Sequence, residues 1–122
     1  MLILRILNMK GPYDFTHERI NDYVINNHLG NYVLGYVKNG NFKIKYVGRS
    51  DTDINRRLHE ELKKYGRLPF FKFSYAKTKK EAYLKECKNY HDFGGLEGKL
   101  INEYHPDLPD NCDDELGCPY CS

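Results

Sequence analysis

Asn31-Tyr-Val-Leu-Gly-Tyr-Val-Lys38-Asn39-Gly40-Asn41-Phe-Lys-Ile-Lys-Tyr-Val-Gly-Arg49 decides how this chain folds. Its two arms, residues 31–37 and 41–47, are mostly β-branched, aromatic or aliphatic, and the second alternates Lys43 and Lys45 with Phe42, Ile44 and Tyr46. That is a strand pattern, and Lys38-Asn39-Gly40 between the arms is a hairpin signal. Two turn geometries compete. A two-residue Asn39-Gly40 loop pairs Lys38 with Asn41 and sends Tyr32 and Tyr46 to opposite faces. A three-residue loop closing on a left-handed Gly40 sets Tyr32 directly across from Tyr46. Local propensity leans to the first; the residues around the hairpin favour the second, and a direct Tyr32–Tyr46 pair is the expectation.

Downstream, Ser50-Asp51-Thr52-Asp53 supplies capping residues for a helix over residues 54–65, closed by Gly66. Its apolar stripe is Ile54, Leu58, Leu62 and Tyr65. At about 100° per residue, Arg57 borders the stripe while Arg56 lies nearly opposite and His59 points to solvent. Residues 68–77 read as a strand with Pro69 at its start, and residues 79–93 as a helix whose buried row is Ala82, Glu86, Tyr90 and Phe93. A carboxylate in the middle of that row needs a cation, a hydrogen-bonding partner or access to a cleft. A salt bridge to Arg49 or Arg57 is one answer and a divalent metal another. Upstream, residues 1–11, apolar only over the first seven, read as an opening strand ended by the break at Gly11-Pro12. Thr16 then caps a helix to about Asn27 with Ile20, Tyr23 and Val24 on one face, an added layer over the sheet.

The ordered set Gly30-Asn31-Tyr32, Tyr46-Val47-Gly48-Arg49, Arg57 and Glu86 resembles the GIY-YIG nucleases. The resemblance covers roughly residues 30–93 and departs at Asn31, where the family usually has an apolar residue. It implies an α+β fold with a small three-stranded antiparallel sheet flanked by helices, here with an N-terminal strand and helix added. It also implies a metal-dependent endonuclease that hydrolyses DNA phosphodiesters, as in repair or recombination. Glu86 would hold Mg²⁺ or Mn²⁺, Tyr32 would act as general base or position the water with Tyr46 as its partner, and Arg57 would clamp the phosphate. Gly48 and Arg49 would support the site, Gly48 by letting the backbone turn tightly. Glu97, in a segment that also resembles the region after the family's glutamate, is the alternative to Glu86. A tyrosine with the ordinary pKa of about 10 is a poor base at neutral pH, so Arg49, Arg57 or Lys45 must favour the phenolate. With eleven tyrosines in the chain, most are core-edge residues. A catalytically silent nucleic-acid- or protein-binding module on the same scaffold is the competing reading.

At 122 residues the chain is long enough for one domain: an extension over residues 1–29, a core over 30–93 and a tail over 94–122. The formal net charge is only +2, so DNA binding would rest on local clustering, and lysines and arginines do concentrate between Lys38 and Lys88. The opening apolar run is too short for a signal or membrane segment and contains Arg5, which leads to the expectation of a cytoplasmic protein without a membrane partner. No small-molecule cofactor is implied. Four cysteines in such a chain point to metal or free thiols before disulfides. Cys87 and His91 share a helix face, and Cys118-Pro119-Tyr120-Cys121 has the spacing of a tetrahedral zinc loop. Together they make a structural Cys₃His zinc site that pins the tail, with Cys112 or His105 as alternatives to His91.

Overall fold

The computed structural model of the protein describes residues 7–94, 100–102, 104–109 and 118–119. The elements are β1 (Lys10–Asp14), α1 (His17–Tyr23), β2 (Gly30–Lys38), β3 (Asn41–Ser50), α2 (Ile54–Tyr65), β4 (Phe70–Tyr75) and α3 (Lys79–Asp92). The four strands form one antiparallel sheet in the order β1-β4-β2-β3. The class is the expected α+β, but the sheet has four strands rather than three, because Lys10–Asp14 pairs with β4; this is not the opening strand expected ahead of Gly11-Pro12, whose residues 1–6 lie outside the described residues and whose residues 7–9 are not strand. The break expected at Gly11-Pro12 falls inside β1. β1 is an edge strand whose pairing slips between Lys10 and Tyr13, a place where a residue without an N–H is tolerated.

Caps set the helix starts. The side chains of Thr16, Asp53 and Thr78 accept the backbone N–H groups of Arg19, Arg56 and Glu81. α1 stops at Tyr23, short of the expected Asn27, where the backbone is left-handed (φ +63°). Tyr23 is not buried with Ile20 and Val24; it is 45% exposed and stacks on Tyr13 at 3.8 Å between centroids. Both sheet faces are covered. Ile20, Ile54 and Leu58 from α1 and α2 pack with Tyr32, Leu34, Phe71 and Phe73 on one side, and Tyr90 from α3 packs with Val33, Ile44 and Val47 on the other. The alternation of the strands decides which residue meets which helix.

The hairpin turns by the tighter geometry. Lys38 pairs with Asn41, and Asn39 (φ +53°) and Gly40 (φ +77°) form a two-residue primed turn, correcting the expected three-residue loop. Farther in, Gly35 pairs with Ile44 but Leu34 pairs with Tyr46, so Lys45 is one residue too many and β3 bulges there. The bulge brings Tyr46 back to the face of Tyr32. The direct pair does not form: Tyr32 opposes Gly48 and Tyr46 opposes Leu34, which leaves the two phenols diagonal neighbours.

Candidate functional site

Tyr32 and Tyr46 lie ring over ring, 6.3 Å between centroids and 21° between planes. Tyr32 has no exposure at all, and its hydroxyl donates to Glu61 Oε2 at 2.8 Å. Glu61 also bonds Tyr46, so two phenols converge on one carboxylate. Glu61 follows Arg57 by one helical turn, which points both side chains at the same part of the sheet. Arg57 in turn lies within hydrogen-bonding reach of Tyr32. Sequence reading missed Glu61, although its spacing from Arg57 on a helix already assigned was the available signal.

Burial first, then the neighbouring phenol of Tyr46 and the carboxylate of Glu61, hold the Tyr32 hydroxyl well above the ordinary tyrosine range, and the opposing pull of Arg57 is smaller. Tyr46 is raised by burial and by Glu61 as well. Both phenols are therefore neutral donors at physiological pH, and the condition set for a tyrosine base is not met. Gly48 has a different duty from the tight turn expected of it. It sits mid-strand beneath the Tyr32 ring, and a Cβ there would fall 2.3 Å from Tyr32 Cζ.

A cleft of about 460 Å³ opens beside this pair, lined by Tyr46, Arg49, Asp51, Arg57, Glu86, Asn102 and the segment 104–107 among others. It draws on both faces of the sheet around β3, an edge strand. Glu86, 8% exposed, meets the Nη1 of Arg49 at 2.5 Å; Arg49 also bonds Asp51 at 2.9 Å and lies over the Tyr83 ring. The salt bridge foreseen as one answer to a buried Glu86 thus exists, with Arg49. Desolvation nevertheless outweighs Arg49 and raises the Glu86 carboxyl to about 7. Arg49 engages Oε1 and Glu86 is among the residues lining the cleft, where a carboxylate suits a mostly hydrated hard cation. Arg57 is 46% exposed at its side chain and its ion pair with Glu60 is long, 3.7 Å. Arg56 is the more exposed of the two arginines, as expected. Asn31, the departure from the family pattern, donates to Ala82 O from a buried position, while its own Oδ1 has no partner.

The tail lines part of the cleft. Ile101 N donates to Lys45 O, and the Asn102 amide bonds both the N–H and the carbonyl of Val47, so residues 100–102 dock on the open edge of β3, and residues 104–107 line the cleft. Ligand atoms of Cys87, His105 and Cys118 lie within 4.8 Å of one another, a group that could hold a metal ion. His105, one of the alternatives to His91, is in this group; His91 is not, and its Nε2 lies 3.2 Å from His105 Nε2. His105 Nδ1 faces Pro106 O at 2.9 Å; donating there leaves Nε2 as the coordinating nitrogen. Cys112, Cys121 and Glu97 lie outside the described residues. Burial raises the Cys87 thiol to about 12, so a bound cation must displace its proton. Elsewhere, His59 is not simply solvated: it stacks on His17 and bonds Asn21. No helix among the described residues is long and apolar enough to cross a membrane. No protein-family model matches this chain, and no curated protein or solved structure matches it.

Proposed function

We propose that this chain is a metal-dependent endonuclease that hydrolyses DNA phosphodiester bonds in the cleft beside β3. The observation that carries the proposal is the convergence of Tyr46, Arg49, Arg57 and Glu86 on one cleft, above the Tyr32–Glu61 hydrogen bond. Arg57 clamps a phosphoryl oxygen, and its exposure leaves it accessible to one. Tyr46 orients the attacking water. As the new P–O bond forms, the water passes a proton to the Tyr46 oxygen while Tyr46 passes its own to Glu61, so no free phenolate is needed. The bond to the departing oxygen breaks, and that oxygen takes a proton from solvent. Tyr32, sealed from water, holds Glu61 in place. Glu86 would hold Mg²⁺ or Mn²⁺, which supplies Lewis-acid stabilisation of the phosphate. Cys87, His105 and Cys118 would hold a structural zinc, with His91, Cys112 or Cys121 completing four ligands; thiolate and imidazole donors suit that ion.

A second reading, DNA binding without turnover, is favoured by the Arg49–Glu86 ion pair, which already gives Glu86 a cation. Nicking of supercoiled plasmid in Mg²⁺ or Mn²⁺ separates the two. The endonuclease should nick, and Glu86→Ala and Arg57→Ala should each abolish it. Activity unchanged in both variants would belong to a contaminant, and salt-sensitive binding without nicking would favour the silent module.

A further inference from the structure

In the cleft Arg49 is held between Asp51 and Glu86, which leaves Arg57 and Lys64 as the other arginine and lysine side chains of the lining, and Asp107 shares the wall. DNA binding at physiological salt needs several lysines or arginines at phosphates. A second concavity begins at the next residue along β3. Lys45, adjacent to Tyr46, lines a groove of about 620 Å³ with Lys38 and Lys43, walled by Tyr36, Phe42 and Phe93. Through Phe42, Ile44 and Phe93 it continues into a hollow of about 600 Å³ that adds Lys10 and Lys72. Lys72 Nζ sits 5.0 Å over the Phe42 ring. No acidic side chain is among the described residues lining either hollow.

We propose that this lysine-lined groove over β3, between its turn and the stretch where residues 100–102 dock, binds the sugar–phosphate backbone of the DNA that enters the cleft. The proposal rests on the DNA-directed reading above and adds where the substrate lies. From Tyr46 to Asn41 the strand runs about 17 Å at roughly 3.4 Å per residue, the length of about five nucleotides of one duplex strand. Lysine ammonium groups are point charges on flexible stems, without the planar fork that reads guanine. The contacts position the duplex and carry no sequence preference.

Anisotropy of a labelled duplex, followed from 50 to 200 mM salt with the full chain and no added Mg²⁺ or Mn²⁺, tests this. The triple variant Lys38→Gln/Lys43→Gln/Lys45→Gln should bind at least tenfold more weakly at 50 mM salt and lose about 2 to 3 from the salt slope, at roughly 0.9 per phosphate contact. Lys79→Gln/Lys80→Gln, at the start of α3 and away from the groove, should bind like the wild type. Where the wild type nicks plasmid, the triple variant should raise KM and keep kcat. A triple variant that binds as the wild type does, or no better separated from it than the α3 variant, overturns the groove. That result with nicking intact leaves the endonuclease reading standing. Groove-dependent binding without nicking sinks that reading and keeps the groove. A wild type that does not bind at 50 mM salt overturns both.

Discussion

At Gly48 a hydrogen atom in place of a side chain gives the Tyr32 ring its seat, and that seat fixes where the hydroxyl meets Glu61. Gly48→Ala is expected to lower unfolding free energy by about 1–3 kcal/mol, the usual cost of overpacking, read as an earlier urea midpoint with an unchanged slope. Glu61 is tested differently. Glu61→Gln can still accept from Tyr32 but cannot take up a proton in the relay, so kcat for plasmid nicking should fall by about 10²–10⁴ while duplex affinity holds. Tyr46→Phe should match it, and Tyr32→Phe should cost less, because Tyr32 never meets water. Equal losses for the two tyrosine variants would remove the distinction drawn between them. Arg57 and Glu86 were readable in the sequence because a helical repeat says which side of a helix is buried. Helical spacing from Arg57 put Glu61 on the same side of α2, but no periodicity reports that this carboxylate or that of Asp51 will meet a particular phenol or guanidinium across the chain.

Between elements, the seam of α1 and α2 carries a second titrating feature. His17 and His59 stack at 4.8 Å, and desolvation, with His17 adding to it and Asp53 opposing, lowers the His59 pKa. A histidine depressed in the folded state contributes stability that is complete above its unfolded value of about 6.5 and is lost as pH falls through the folded value. Glu86, raised to about 7, acts in the opposite sense over the same window, so the His59 contribution is read as a difference: the urea midpoint of the wild type relative to that of His59→Gln should drop between pH 7.5 and 5.5. Identical slopes for the two proteins would show that the pair contributes nothing. Sequence pattern put His59 in solvent because it lies off the apolar stripe of α2; that stripe says nothing about α1 lying alongside. The strands were legible for a related reason. Alternation in β3 and capping residues before α1 and α2 are local signals, whereas the partner of β1 is fixed only by a pairing with β4 some sixty residues on.

At the scale of the molecule, the sheet core and the metal-ligand cluster are separable. The two hydrophobic clusters take in the sheet and helices, while Cys87, His105 and Cys118 gather the tail against α3. Purified protein should contain about one zinc per chain, as a closed four-ligand site requires. Chelation should lower Tm and release residues 104–107 from the cleft, seen as faster amide exchange there, while the far-ultraviolet signature of the sheet persists. Cys118→Ser should reproduce the chelated state. Protein that refolds metal-free with an unchanged Tm would exclude a structural ion. The sequence pointed to this cluster through Cys87 and the Cys118-x-x-Cys121 spacing, but it could not choose between His91 and His105, since one sits on a helix and the other on a tail whose path no local pattern dictates.

The supernumerary Lys45 has a genetic corollary. Because Ile44 already faces Gly35 and Tyr46 already faces Leu34, losing the single codon between them would straighten the ribbon without turning any residue inside out. Loss of the codon for Val47 would instead invert the strand beyond it and exchange interior for exterior.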